Sequence, residues 1–87
     1  MYYYVYILLS LKDEKFYTGY TPNLKNRLQS HQKGKVKSTK YRLPVTLVYF
    51  EGCLSKQDAI KREKYLKTTY GKRYIKNRLK NFLNEYE

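Results

Sequence analysis

The sequence predicts a small α/β protein of the α+β kind, in which a three-stranded, mainly antiparallel sheet is flanked by helices in the order ββαβαα. Two apolar and aromatic runs near the start of the chain are joined by a polar stretch that is too short for a helix. Segments with helical spacing of apolar residues follow, interrupted by one further β-like run. A length of 87 residues allows one hydrophobic core, so residues 1–87 are expected to form a single domain.

The first two strands are predicted to form a hairpin. Tyr2–Ser10 has apolar residues on both of its alternating faces, which is typical of a central strand covered on both sides. Leu11–Lys15 is a polar turn, and Phe16–Tyr20 is a second strand that Gly19 weakens. A connection this short favours antiparallel pairing. Because Gly19 has no side chain, we expect open space there for a ligand or another backbone.

The first helix is expected to follow the hairpin directly. Thr21 is a good N-cap residue and Pro22 is favoured at the first helical position. Leu24 and Leu28 supply a buried stripe, and Gly34 is suited to end the helix.

The second half of the chain is predicted to hold a basic loop, a strand and two helices. Lys33–Pro44 is the loop, and Val45–Glu51 is the third strand. Ser55–Asp58 resembles a capping box and begins the second helix, which Gly71 is expected to end. Residues 72–87 form the third helix, and one of its sides carries Ile75, Leu79 and Phe82.

Charge sets the expected partner. Nineteen lysine and arginine residues oppose seven acidic residues, for a formal net charge of +12. Self-repulsion at this density opposes folding, so the charge favours a polyanionic partner. Nucleic acid is the main candidate, and an anionic membrane surface is a weaker one that rests on the basic third helix.

Composition also indicates the compartment. Cys53 is the single cysteine, so no internal disulfide is possible, which fits a reducing compartment. No run approaches the ~20 apolar residues of a spanning helix, and the start of the chain lacks the features of a signal peptide. We therefore expect a cytoplasmic protein that is not membrane-bound, and a monomer by default.

Tyr6 and Tyr17 are predicted to share one face of the hairpin. A two-residue loop would place Tyr6 directly opposite Tyr17, and a four-residue loop would place Tyr6 opposite Gly19. Only a three-residue loop would separate the two tyrosines. In the helix that follows, Arg27 and His31 lie about 40° apart, on one flank of the buried stripe. They are therefore expected at its rim, where either Arg27 is solvated and His31 caps the helix or packs, or both side chains face the tyrosines.

Glu63 stands out in the second helix because it falls on an apolar stripe with Ala59 and Leu66. A carboxylate in such a place is costly unless it is paired or bound to a metal. The sequence leaves two interpretations open, a buried ion pair with a lysine or arginine and a lone metal ligand in a cleft. With one cysteine and one histidine, the chain cannot form a conventional structural zinc site.

These residues, taken in order, resemble the GIY-YIG nuclease superfamily. The two signature motifs correspond to Tyr4-Val5-Tyr6 and Tyr17-Thr18-Gly19, and the helix arginine, a following histidine and a later glutamate correspond to Arg27, His31 and Glu63. The basic stretch Thr39–Pro44 is similar to a loop in small bacterial members related to the N-terminal domain of the excision-repair incision subunit. In this chain Tyr20 stands where some active branches carry a lysine.

The resemblance implies a GIY-YIG-type fold and a metal-dependent endonuclease that acts on DNA, with one Mg²⁺ or Mn²⁺ ion held by Glu63. It also implies that Tyr6 or Tyr17 takes a proton from water, that Arg27 grips phosphate and that His31 assists proton transfer or binds phosphate. The expected nucleic-acid contacts of the basic loop are Lys33, Lys35, Lys37, Lys40 and Arg42. The alternative is a non-catalytic or weakly catalytic DNA- or RNA-binding module on the same scaffold.

Overall fold

The computed structural model describes residues 1–86, and these contain three strands and four helices. The elements are β1 (Tyr3–Ser10), β2 (Phe16–Thr21), α1 (Leu24–Gln32), β3 (Val45–Cys53), α2 (Lys56–Leu66), α3 (Thr69–Arg78) and α4 (Lys80–Tyr86). The predicted fold class is confirmed, because one antiparallel sheet with strand order β2-β1-β3 is flanked by helices. Among these residues no helix is both long and apolar enough to traverse a bilayer.

The hairpin register is the one that a four-residue loop produces. Tyr6 is opposite Gly19 and Leu8 is opposite Tyr17, and the backbone N–H of Ser10 donates to the carbonyl of Lys15 at 3.0 Å. Both tyrosines therefore lie on the same face of the sheet, as predicted.

Helices or loops cover both faces of β1, which explains its apolar sequence. Val5 and Ile7 contact a core that Ala59, Leu66 and Ile75 supply from α2 and α3. On the opposite face, the core contains Tyr6, Leu8 and Val45, and Leu24 and Leu28 of α1 pack against it. Every residue from Val5 to Ser10 is buried, so the prediction of a central, doubly covered strand is confirmed.

The start of α1 differs from the prediction. Thr21 still pairs with Tyr4 as the last residue of β2, and its hydroxyl oxygen accepts from the backbone N–H of Asn23. Asn23, not Thr21, is the N-cap, because its side chain accepts from the backbone N–H of Asn26 at 3.1 Å. Gly34, with φ of 73°, follows the helix end as expected.

The end of α2 also differs from the prediction. α2 begins as expected, with Ser55 as its N-cap, but it ends at Leu66. Thr68 then caps α3, and Gly71 lies buried inside the first turn of α3. A Cβ on Gly71 would collide with the backbone of Tyr65 and Leu66. Gly71 is thus required for close approach of the two helices, and the prediction that it ends α2 is wrong.

The predicted third helix is divided at Leu79. Ile75 and Leu79 are buried in the core, as expected. Phe82 instead stacks on Tyr86 with ring centroids 6.0 Å apart, and Leu83 packs against the core in its place.

Candidate active site

Tyr6 and Tyr17 form the base of a polar cluster on the α1 face of the sheet. Their ring centroids are 6.4 Å apart, and Tyr6 is 1% exposed. The sequence predicted open space at Gly19, but the Tyr6 ring fills it, since a Cβ there would collide with that ring. Gly19 thus makes room for the side chain that the hairpin places opposite it.

His31 connects the tyrosines to the basic loop. It is fully buried and not at the rim, and its ring packs edge-on against both tyrosines. Its Nε2 atom lies 2.8 Å from the Tyr6 hydroxyl, and its Nδ1 atom lies 2.7 Å from Oγ1 of Thr39. Both ring nitrogens therefore have a hydroxyl partner away from water.

Arg27 closes the cluster from the solvent side. Its Nε–H donates to the Tyr6 hydroxyl oxygen at 3.4 Å, and the residue as a whole is exposed. One group of this side chain therefore reaches the buried hydroxyl from the surface.

Burial and the Arg27 charge set the protonation of this cluster. Burial, with a smaller contribution from the positive charge of Arg27, lowers the pKa of His31 to about 4. Burial also raises the pKa of Tyr6 above its ordinary value of 10.0, although the hydrogen bond from Arg27 opposes that rise. At neutral pH, His31 is therefore a neutral imidazole and Tyr6 is a protonated phenol.

Two hydroxyl partners in this site were not predicted from the sequence. Thr39 is fully buried against His31, and Oγ of Ser38 donates to the Tyr17 hydroxyl at 3.2 Å. In the sequence, Thr39 stands out only as the first residue of a basic loop motif. The available signal was an uncharged threonine within a lysine-rich segment that immediately precedes β3.

Glu63 lies apart from the hydrogen-bonded cluster. Its carboxylate is 3.3 Å from Nζ of Lys67, one helical turn later, and the two side chains are 21% and 55% exposed. The pairing is therefore neither the deeply buried ion pair nor the unpaired carboxylate that the sequence left open. Its negative charge is one of the weaker influences that raise the pKa of Tyr6, after burial.

The four lysines of the basic loop, which were predicted to contact nucleic acid, are exposed at positions Lys33, Lys35, Lys37 and Lys40. Two of them line an open depression together with Arg27 and Ser38, namely Lys35 and Lys37. The depression brings loop cations to the solvent side of the Tyr6 cluster.

Arg42 differs from these lysines because its guanidinium is already bonded within the protein. Its Nε–H donates to Asp13 at 2.9 Å, and Nη2 donates to the carbonyl of Lys15 at 3.1 Å. The bond from Arg42 lowers the pKa of Asp13 to about 2. Arg42 thus fastens the basic loop to the hairpin turn, and its contact with nucleic acid stays a prediction.

Comparison with known families agrees with this arrangement. The family model of the GIY-YIG catalytic domain matches residues 2–80, a span that contains all of β1–α3 and the whole Tyr6 cluster. The chain belongs to the GIY-YIG family. This family is of the nuclease type, which agrees with the resemblance noted in the two tyrosine motifs.

Relatives of this GIY-YIG chain include bacterial UPF0213 proteins. A UPF0213 protein of Staphylococcus haemolyticus is 50% identical over 66 residues, which is 75% of this chain and 79% of the relative. A UPF0213 protein of Clostridium perfringens is 51% identical over 65 residues, 74% and 69% of the two chains. The solution NMR structure of a UPF0213 protein from Bacillus halodurans is similar, with a TM-score of 0.54 and 37% identity over 86% of this chain and 82% of that one.

Proposed function

We propose that this protein is a metal-dependent endonuclease that hydrolyses phosphodiester bonds in DNA. The observation that supports this proposal most strongly is the position of the Tyr6 hydroxyl, between the Nε–H of Arg27 and the imidazole of His31. These three residues are among those that carry the resemblance to GIY-YIG nucleases, and the family match over residues 2–80 includes all of them.

The hydrogen-bond chain from Thr39 through His31 to Tyr6 has two possible directions, because a neutral imidazole donates at one nitrogen and accepts at the other. We assign the direction in which Thr39 donates to Nδ1 and Nε2–H donates to Tyr6. The Tyr6 oxygen then has two donors, which stabilise its phenolate after the proton leaves. In the opposite direction His31 would have to take the proton, and its pKa of about 4 makes it a poor acceptor.

In this scheme Tyr6 is the general base that takes a proton from the attacking water. Its raised pKa makes a free phenolate rare, so the two donors and the positive charge of Arg27 are needed for it to act. The Nε–H of Arg27 donates to Tyr6, and the exposed end of its guanidinium carries further N–H groups that can contact phosphate oxygens. Tyr17 packs against His31 and orients the imidazole.

The carboxylate of Glu63 fits one metal ion that has few protein ligands. Among residues 1–86 no group of three or more His, Cys, Asp or Glu side chains could together hold a metal. Mg²⁺ is commonly bound by one or two carboxylates, with waters and substrate oxygens completing its coordination, so a single carboxylate at Glu63 is compatible with it. When bound, such an ion would supply positive charge beside the phosphate and the leaving oxygen.

A nucleic-acid-binding module with little catalysis is the second candidate function. Its support is the pairing of Glu63 with Lys67, which neutralises the carboxylate that a metal would need. The burial of Tyr6 also favours this alternative, because water must reach the hydroxyl for catalysis.

A cleavage screen distinguishes the two candidates. The protein is incubated with Mg²⁺ or Mn²⁺ and with single-stranded, duplex and branched DNA and RNA. We expect DNA cleavage that rises with pH through the neutral range, since Tyr6 must lose its proton. Arg27→Lys should reduce cleavage by orders of magnitude, because an ammonium lacks the planar fork of donors.

Arg78→Lys is the matched control, since Arg78 is exposed near the end of α3 and outside the cluster. It should cleave like the wild type. Binding without cleavage of any substrate would support the second candidate. Full activity of Arg27→Lys would show that Arg27 contributes only its positive charge, not a specific grip on phosphate.

A further inference from the structure

We infer that a cavity at the β2 edge of the sheet binds one unpaired nucleotide of a nucleic-acid strand. The inference deepens the proposed function and rests on it for the role of the bound strand. The cavity has a volume of about 350 Å³ and lies on the Ile7 face of the sheet, where three successive residues of β2 line it, Phe16, Tyr17 and Thr18. β2 is an edge strand, so the cavity opens at the side of the sheet.

The floor of the cavity is apolar and includes an aromatic ring. Ile7, Leu66 and Ile75 are buried, and the half-buried Phe16 packs against them. A volume of about 350 Å³ is near the lower end of typical ligand sites, which suits a single base with its sugar. A base within a duplex has both faces covered by its stacked neighbours, so only an unpaired base can place a face on Phe16.

The rim of the cavity is cationic. Lys67, Lys72 and Lys76 line it, and all three are exposed at the surface of the helices. Three ammonium groups around an apolar floor complement a ligand that is apolar at one end and anionic at the other. The nucleotides of a nucleic-acid strand have this character, with phosphates at the edge of a flat base.

Tyr17 of the edge strand links the cavity to the candidate active site. It lines the cavity on the Ile7 face, while its ring packs against Tyr6 and His31 on the opposite face of the sheet. On the other side, Lys67 joins the rim to Glu63 through their 3.3 Å pairing. A nucleotide held here would lie near Glu63 and across β2 from the Tyr6 cluster, within one strand width of the groups assigned to the reaction. The proposed enzyme should therefore prefer single strands, flaps or gaps over uninterrupted duplex.

The test measures binding without metal, in EDTA, so that no cleavage takes place. Fluorescence anisotropy of a short labelled oligothymidylate is followed over a salt series for the Lys72→Gln/Lys76→Gln double variant. For single strands the salt slope falls by about 0.7 for each phosphate that the protein no longer neutralises, so we expect a decrease of about 1.4. Binding of a blunt duplex of equal length should change much less. Phe16→Leu should weaken oligothymidylate binding about fivefold with an unchanged slope, because it removes only the stacking surface.

The control is Lys61→Gln/Lys64→Gln, which removes the same net charge from the exposed part of α2, outside the cavity. Equal effects of the two double variants would overturn the inference. An equally large effect on duplex binding would also overturn it, as would thymidine monophosphate or anionic vesicles competing as well as the strand does. If the cavity variants change oligothymidylate binding as expected but the protein cleaves no nucleic acid, only the proposed function is refuted. If the protein cleaves DNA but the cavity variants bind oligothymidylate like the wild type, only the inference is refuted.

Discussion

His31 shows how strongly one residue depends on its surroundings in this protein. The imidazole is fully buried between two hydroxyl groups and beside the charge of Arg27. Both hydroxyl groups can form hydrogen bonds with a neutral imidazole. Burial and the positive charge of Arg27 disfavour the protonated imidazole. His31 therefore connects the parts of the site, and its protonation at low pH should destabilise the folded protein.

Acidification is expected to destabilise the protein through His31. The pKa of His31 is about 4 in the folded chain against 6.5 for an ordinary histidine, so the unfolded chain binds the proton first as pH falls. Stability is complete above pH 6.5 and decreases toward pH 4, with a loss of about 2 kcal/mol between pH 7 and pH 5. Chemical denaturation at a series of pH values measures this loss.

His31→Gln is the control for the acid effect, since glutamine does not titrate. Its free energy of unfolding should be lower at pH 7 but nearly constant down to pH 5. A wild-type curve that is equally flat over this range would contradict the assigned role of His31. Asp13 does not confuse the measurement, because its pKa of about 2 places its titration at lower pH.

Glu63→Gln separates a metal ligand from a structural acid. Lys67 is 55% exposed and pairs with Glu63 within a single helical turn, so removal of the pair should cost at most about 1 kcal/mol in the free energy of unfolding. Metal-dependent cleavage should disappear, together with any rise in melting temperature that Mg²⁺ causes in the wild type. Thermal melts of both proteins with and without Mg²⁺, beside the cleavage assay, measure these effects.

Glu51→Gln is the control for Glu63→Gln, because it should lower stability more and leave the response to metal unchanged. Glu51 receives two bonds of 2.9 Å from Arg62 in a partly buried pair, so its neutralisation should cost about 2 kcal/mol. Its response to metal should match that of the wild type. If Glu63→Gln melted far lower yet still cut DNA, Glu63 would not be the metal ligand.

The sequence predicted part of this site correctly. Tyr6 and Tyr17 were predicted to share one face of the sheet, because side chains alternate along a strand. Their rings, with centroids 6.4 Å apart, confirm that geometry. It could not place His31 in the interior, since burial of that ring depends on Thr39, a partner from a loop with no periodic pattern. The i,i+4 spacing of Glu63 and Lys67 permits the pair that the structure shows, but spacing alone could not show how buried that pair would be.

At the scale of the elements, the junction between α2 and α3 controls the helical layer. Leu66 and Ile75 belong to one core, so the two helices must approach closely where the chain turns between them. Gly71 permits this approach because it has no Cβ to meet the backbone of Tyr65.

Gly71→Ala should therefore destabilise the protein although alanine is the better helix former. The added methyl group would meet backbone atoms, which yield less readily than a side chain does. We expect a net loss of about 2 kcal/mol, seen as a decrease of roughly 10 °C in melting temperature. Gly52→Ala is the control: its nearest neighbour is the exposed side chain of Tyr2, at 3.1 Å, so its effect should be within about 0.5 kcal/mol. A Gly71→Ala variant as stable as Gly52→Ala would contradict the close packing.

Element types were more predictable than element ends. The runs that became β1, β2 and β3 were identified because strand residues alternate or are uniformly apolar, and the helices because their caps and stripes are local. Two strands extend beyond their predicted ends: β2 continues to Thr21 opposite Tyr4, and β3 to Cys53 opposite Tyr3. β1 instead begins one residue later than predicted. The break at Leu79 has no glycine or proline to signal it, and it follows from how Leu79 and Leu83 reach the core.

At the scale of the whole molecule, we expect the net charge of +12 to govern the proposed interaction with nucleic acid. Neutralising Lys33, Lys35 and Lys37 with glutamine should weaken binding equally on unrelated duplex sequences, because phosphate contacts carry no sequence information. The slope of log affinity against log salt should fall by about 0.9 for each phosphate that the loop no longer neutralises. Anisotropy titrations on two unrelated duplexes in EDTA measure both effects.

The control variant neutralises three exposed lysines of α2, Lys56, Lys61 and Lys64, and leaves the loop intact. It should lower affinity less and leave the slope nearly unchanged. A decrease in affinity confined to one of the two duplexes would instead indicate base recognition by the loop.

The open sheet has a consequence for how copies of this protein behave in concentrated solution. Within residues 1–86, β2 and β3 each have a strand partner on one side only, and Phe50 of β3 is half exposed. Such edges can template pairing between molecules, and the formal charge of +12 opposes it by mutual repulsion. Salt shortens the range of that repulsion from about 10 Å at 0.1 M to about 3 Å at 1 M. High salt, which should release bound nucleic acid if the protein binds it as proposed, is thus also the condition in which we expect its colloidal stability to be lowest.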